Sequence, residues 1–213
     1  MFANNLASQT KGNPLVFLAL IVFSFWLTGC ETTPKRQTSS QTPADWQERR
    51  QQLTDFNHWN LQGKLAVRQG DRSDSLVINQ WTQIESQFNI HVSSALLGLG
   101  ATQIEGNPNY IGLLQPDEAP LYSDSPEQLL QETLGWSLPL QSLAYWIKGI
   151  PSPEHPAEMQ FDSQGQPYIL SQSDWQIEFD RFLPFGALLL PHKITLTKGD
   201  IRLKVVVTQW TAI

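Results

Sequence analysis

The sequence lacks most of what enzymes and nucleic-acid binders require. It has a single cysteine, Cys30, so it forms no internal disulfide and builds no multi-cysteine zinc site. Glycine-rich phosphate loops are absent, as are C-x-x-C and H-E-x-x-H, which removes the common nucleotide cradles and metalloprotease sites. Positive charge is scarce: 14 Lys and Arg stand against 20 Asp and Glu, a net charge of -6. Nucleic acid would need the opposite balance, so no nucleic-acid partner is expected. The histidines His58, His91, His155 and His192 show no metal-ligand spacing, and Ser93-Ser94 has no nucleophile-elbow surroundings. Asp174, Glu178 and Asp180 alternate as on a solvated strand face. No catalytic residue, metal or other cofactor is expected.

Long apolar runs are also few. The main one, Leu15 to Leu27, follows Lys11 and ends in "LTGC" at Cys30. It is short of the roughly 20 residues of a comfortable transmembrane helix and has the layout of a signal peptide. "LTGC" resembles a lipobox, the bacterial site where cleavage after Gly29 leaves the cysteine to carry acyl chains. Residues 1–29 are thus expected to be a lipoprotein signal peptide. Cys30 is then the lipidated residue and opens a polar, flexible tether over 30–43. Lipidation contributes about 0.8 kcal/mol per buried methylene, so several chains would anchor the protein to a membrane without inserting it. Glu31 stands where an aspartate would signal retention in the inner membrane, which points to the outer membrane.

From Ala44 onward the chain carries a real core, with eight tryptophans in the whole sequence. "ADWQERRQQLTDF" reads as a helix with Trp46, Leu53 and Phe56 near one face. Then the period becomes two: Trp59, Leu61, Gly63, Leu65 and Val67 share a face opposite Asn60, Gln62 and Lys64. Further strands follow in "LVINQWTQ", "SQFNIHV", "TQIEG" and "NYIGLLQ". "SPEQLLQETLGW" predicts a helix capped by Ser125 with Gln128 three residues on, Pro126 at its first position and Gly135 at its end. A second helix runs from Pro139 toward Gly149, with Leu140, Leu143, Ala144 and Ile147 as its stripe. Strands resume in "QPYILSQ", "DWQIEFDR", "HKITLTKG" and "DIRLKVVVTQW". The pattern predicts an α+β domain over 44–213, mostly β, whose sheet of nine to eleven strands curls with helices across its concave face.

The helical stretch "SPEQLLQETLGWSLPLQSLAYWIKGIPSP" resembles the LolB family, the outer-membrane lipoprotein receptors of Gram-negative bacteria. "LQGKLAV", "LGLGATQIE", "IRLKVVVTQW" and the lipobox support the resemblance, which spans nearly all of the chain after Cys30. It implies an unclosed antiparallel β-barrel of about eleven strands with a helical lid over an apolar cavity. It further implies receipt of acylated lipoproteins from a LolA-type periplasmic carrier and their insertion into the inner leaflet of the outer membrane. A monomer, anchored through Cys30 on the periplasmic face, is expected. The resemblance places Trp59, Leu61, Leu65, Trp81, Ile90, Leu129, Leu130, Leu134, Leu143, Trp146 and Ile147 as candidates for the acyl-chain cavity. By residue pattern alone, the tryptophans suit an ordinary core better; the resemblance moves some of them to the cavity wall.

The family's membrane-insertion loop falls on "SSALLGLGA". Its leucine matches Leu99, with Gly98 where the family has proline and with extra leucines at Leu96 and Leu97. An apolar hairpin tip costs solubility unless it enters something apolar. The alternative functions are an outer-membrane assembly scaffold with a filled core and a general lipid carrier. A cavity of several hundred Å³ would set the receptor apart from the scaffold.

Overall fold

Alternation of apolar and polar residues drives most of the domain into strands. On β2 (His58–Gln69), Trp59, Leu61, Gly63, Leu65 and Val67 are buried while Gln62, Lys64, Ala66 and Arg68 are exposed. Successive side chains of a strand point to opposite faces, so one row meets the core and the other meets solvent. The computed structural model describes residues 38–94, 100–135 and 138–213. Cys30, Gly29, Leu96, Leu97, Leu99 and Trp136 lie outside the described residues, and so does the side chain of Leu134.

The remaining strands are β1 (Thr38–Ser39), β3 (Arg72–Ile84), β4 (Gln87–Ser94), β5 (Gly100–Asn107), β6 (Tyr110–Leu114), β7 (Leu121–Ser123), β8 (Ala157–Asp162), β9 (Pro167–Gln172), β10 (Trp175–Phe185), β11 (Leu188–Lys198) and β12 (Ile201–Ala212). All pair antiparallel in one 12-stranded sheet of order β1-β8-β9-β10-β11-β12-β2-β3-β4-β5-β6-β7. Its edges, β1 and β7, do not pair with each other, so the barrel is open. The count exceeds the expected eleven because short or polar segments also pair at the edges. Among them, Thr38 and Ser39, inside the segment expected to be a tether, bond to Asp162 and Phe161 of β8.

Two register shifts curl the sheet where β2 meets its neighbours, one between Val207 and Gln209 and one between Leu61 and Gly63. Bulges bend a strand and sharpen its twist. Gly63 sits at this bend, and a Cβ there would lie 2.5 Å from the Val206 carbonyl oxygen. Only glycine fits so close a backbone approach.

Three helices complete the described residues: α1 (Trp46–Asp55), α2 (Pro126–Leu134) and α3 (Leu140–Trp146). The expected capping box of α2 does not form. Ser125 Oγ donates to Asp124 at 3.2 Å and Gln128 to Glu132 at 2.8 Å, so the polar neighbours take both side chains. Pro126 at the start and left-handed Gly135 (φ 80°) at the end fall as expected. Helix α3 stops at Trp146, short of Gly149, and the chain leaves through a turn with Gly149 at φ 85°.

Helix α1 docks through Trp46, edge-on to Phe161 at 5.1 Å, and through Arg49, which donates to the Gly165 carbonyl at 2.7 Å and to Gln166 at 3.2 Å. At the end of the sheet where α1 leads into β2, Trp59 packs between Trp81 (5.2 Å) and Trp210 (5.1 Å). Across the core, Gln172 accepts from Trp146 Nε1 at 2.7 Å and from the Ser152 amide at 2.9 Å, and donates to the Ser152 and His155 carbonyls. A buried amide with every hydrogen-bonding group satisfied fixes its neighbours firmly. It ties the end of α3 to β9.

Candidate functional site: an apolar cavity beneath two helices

The inner rows of β2 to β6, β11 and β12 converge on one cavity covered by α2 and α3. Leu65, Trp81 and Ile90 line it from the sheet, and Leu130 and Leu143 from the helices. The wall continues through Leu76, Ile78, Val92, Ile104 and Leu113, and through Leu196, Leu203 and Val205 on the opposite strands. Leu138 and Leu140 close it from the segment that joins and opens α3. Among the described residues, Thr102, Gln115 and Thr133 bring polar side-chain groups to the lining, beside the Trp81 indole N–H, which is taken up by Gln83. The described lining carries no fixed charge and no converging set of donors, a surface suited to contact with hydrocarbon.

Five of the candidate residues therefore meet at this cavity: Leu65, Trp81, Ile90, Leu130 and Leu143. Trp59 and Leu61 lie elsewhere, fully buried, with Trp59 in the tryptophan cluster behind Trp81. Trp146 and Ile147 are also fully buried outside the lining, Trp146 being held by Gln172 and packed 6.1 Å from Trp175. Leu129 is half-buried against the core. The additional lining residues share the inward parity of their strands, a signal visible in the alternation but not specific to a cavity.

The cavity is small. Its volume is about 70 Å³, below the roughly 300–1,000 Å³ of enclosed ligand sites. Leucines from both helices occupy the mouth of the curled sheet, and the arrangement is that of a covered interior. The strand neighbour of α2 is β6, close to the open edge. Among the described residues, no group of three His, Cys, Asp or Glu is placed to hold a metal ion, and no helix is long and apolar enough to cross a membrane.

A buried lysine fastens the other end of the cover. Lys148, just after α3, donates to the Leu53 carbonyl at 2.7 Å and the Phe56 carbonyl at 2.8 Å. These carbonyls close α1, where a cation is favoured. Burial lowers the ammonium pKa to about 8, an effect partly offset by attraction to Asp55. The unfolded chain holds this proton up to about pH 10.5, so between pH 8 and 10.5 it binds more protons than the folded one. Stability from this group therefore rises with pH across that window, because the cost of burying charge disappears. Lys148→Met should lose about 1–3 kcal/mol at pH 7 by leaving two carbonyls unpaired. The gap to wild type should widen from pH 8 to 10.5, which denaturant titrations of both proteins would measure. An unchanged gap would mean that Lys148 does not titrate in that window.

The class is that of open, curled antiparallel barrels with a helical cover over an apolar interior. A domain from Vibrio parahaemolyticus assigned to outer membrane lipoprotein sorting shares this fold, with TM-score 0.50 at 9% identity, over 78% of this chain and 90% of that one. The family model for outer membrane lipoprotein LolB matches residues 57–210. The outer-membrane lipoprotein LolB of Marinobacter nauticus is 40% identical over 191 residues, 86% of this chain and 91% of its own. That of Chromohalobacter salexigens is 32% identical over 195 residues, 92% of this chain and 89% of its own. The chain belongs to the LolB family of outer-membrane lipoproteins.

Proposed function

We propose that this protein receives acylated lipoproteins from a LolA-type periplasmic carrier and inserts them into the inner leaflet of the outer membrane. Cys30 anchors it there, after a signal peptide over residues 1–29. The apolar cavity beneath α2 and α3 carries this reading, since its wall suits acyl chains. An acyl chain needs more room than the covered interior provides, so α2 and α3 swing outward from the sheet as it enters. Leu130 and Leu143 would then exchange contact with the sheet for contact with the ligand, and much of the apolar area stays buried throughout.

Transfer in this scheme needs no nucleotide. Each step proceeds because the chains are better buried at the next station, and about 1.4 kcal/mol per step suffices for a tenfold bias. The small volume is the observation that favours the alternative, a scaffold with a filled core. Incubating a carrier–lipoprotein complex with this protein separates the two readings. Acylated cargo should move to the receptor and unacylated cargo should not, whereas a scaffold would take up neither. The anchor is tested separately by fatty-acid labelling: Cys30→Ala should remove the acyl label entirely and leave an unprocessed precursor. Label persisting on that variant would place the lipid elsewhere.

A further inference from the structure

Positive charge, scarce in the chain, is concentrated on the outside of the barrel. Lys64 and Arg68 of β2 and Arg202 and Lys204 of β12 are all exposed on adjoining strands. Arg68 stands directly opposite Arg202, and Lys204 opposite Ala66 in the next pair. Strands β2, β4, β11 and β12 contain no Asp or Glu. The one acid of β3, Asp74, pairs with inward-facing Val67 and so belongs to the other row. Among the described residues, acids approach at the margins: on the turns at Asp71 and Asp200, and on β10, where Asp180 binds Lys193 at 2.7 Å and Glu178 stands opposite Thr195, one strand beyond Lys204. Lys64, Arg202 and Lys204 have no ion-pair partner among the described residues, and Arg68 reaches only the Gly70 carbonyl at 3.4 Å.

Like charges opposite one another on a sheet are destabilising, so folding alone does not account for this arrangement. We propose that the outer face of β2 and β12 is a docking surface for an anionic lipid bilayer. Its chemistry fits a headgroup layer better than a protein. The residues around the cations are small, polar or aliphatic: Ser73, Ser75, Ala66, Thr195 and Thr197, with Val77 and Val206 on either side of Lys64, and no Phe, Tyr or Trp stands on these outward rows. Protein interfaces centre on aromatic and other large anchors that fill pockets, whereas a diffuse anionic surface needs only accessible cations. The position fits as well. Antiparallel alternation puts the Arg68–Arg202 end of the face on the same end of the sheet as Ser94 and Gly100, the paired residues that close β4 and open β5.

This inference rests on the proposed membrane anchoring, which brings the face within reach of headgroups. The test uses the full chain reconstituted into vesicles of phosphatidylcholine, with or without phosphatidylglycerol, and reads acetylation of Lys64 and Lys204 by mass spectrometry. Acetylation should fall about fivefold in the anionic vesicles, the factor expected for one cation near such a surface. It should recover near 1 M salt, where the screening length is about 3 Å. The double variant Arg68→Gln/Arg202→Gln should lose the protection. Equal acetylation in both vesicle types, with the protein floating on both, overturns the inference and leaves the anchor intact. Protection in neutral vesicles by inorganic phosphate alone would overturn it in favour of a small-anion site. Protection in neutral vesicles that needs an acidic carrier protein would overturn it in favour of a protein partner. A chain that floats with neither vesicle overturns the anchoring and this surface together.

Discussion

Leu130→Asp should reduce uptake of acylated protein by at least about tenfold while leaving the barrel folded. Leu130 is buried on α2 and faces the cavity. Its burial is worth about 1.5–3 kcal/mol, which the variant forfeits, and a carboxylate in an apolar wall must stay hydrated or neutralise. Either outcome replaces hydrocarbon-compatible surface with water. The strand ladders and the Trp59–Trp81–Trp210 cluster do not involve α2, so far-ultraviolet dichroism should be unchanged and the melting temperature only modestly lower. Ile147→Asp is the contrast. Ile147 is fully buried outside the cavity, directly before Lys148, so a charge there should destabilise the whole domain by several kcal/mol. Uptake of acylated cargo that persists in a folded Leu130→Asp protein would favour the filled-core scaffold.

The contrast between Leu130 and Ile147 also marks what could be read from residues alone. Parity along a strand separates inside from outside, so the inner rows of β2 and β12 were legible residue by residue. Height along the barrel was not. Trp59, Leu61 and Leu65 share one face of β2, yet only Leu65 reaches the cavity, because the two residues nearer the strand's start lie in the packed end of the core. Around α3 the same ambiguity recurs: Leu143 meets the void, while Trp146 and Ile147, just past the helix end, meet solid core.

Edge strands were legible least. Segments such as Thr38–Ser39 and Leu121–Ser123 are too short to carry a period and are strands only because β8 and β6 stand beside them. Nor does anything in "YWIKGI" announce a buried lysine, since its partners Leu53 and Phe56 lie 95 and 92 residues earlier. The basic face was hidden differently. Its members are spread over distant stretches of an acidic chain and meet only because β12 pairs with β2.

Leu99→Glu should separate delivery from acceptance. Strands β4 and β5 are paired as far as Ser94 and Gly100, and the residues joining them include Leu96, Leu97 and Leu99, which we propose enter the outer membrane when cargo is released. A leucine moved from water into lipid gains about 1.5–3 kcal/mol, enough to bias an anchored domain toward the bilayer and too little to embed it. Glutamate forfeits that gain and adds the cost of a carboxylate near hydrocarbon, about 2.5–3.5 kcal/mol at full depth and less toward the interface. A net change of roughly 3 kcal/mol corresponds to about a hundredfold loss in a membrane-inserted intermediate. A role confined to release leaves uptake to the cavity wall described above, so transfer from carrier to Leu99→Glu receptor should proceed at its normal rate. Transfer onward to liposomes should nearly stop, with cargo accumulating on the receptor. Poor acceptance with normal delivery would instead assign the leucines to the cavity. Normal rates for both steps would remove Leu99 from the release step, and the double variant Leu97→Glu/Leu99→Glu would then show whether the loop takes part at all.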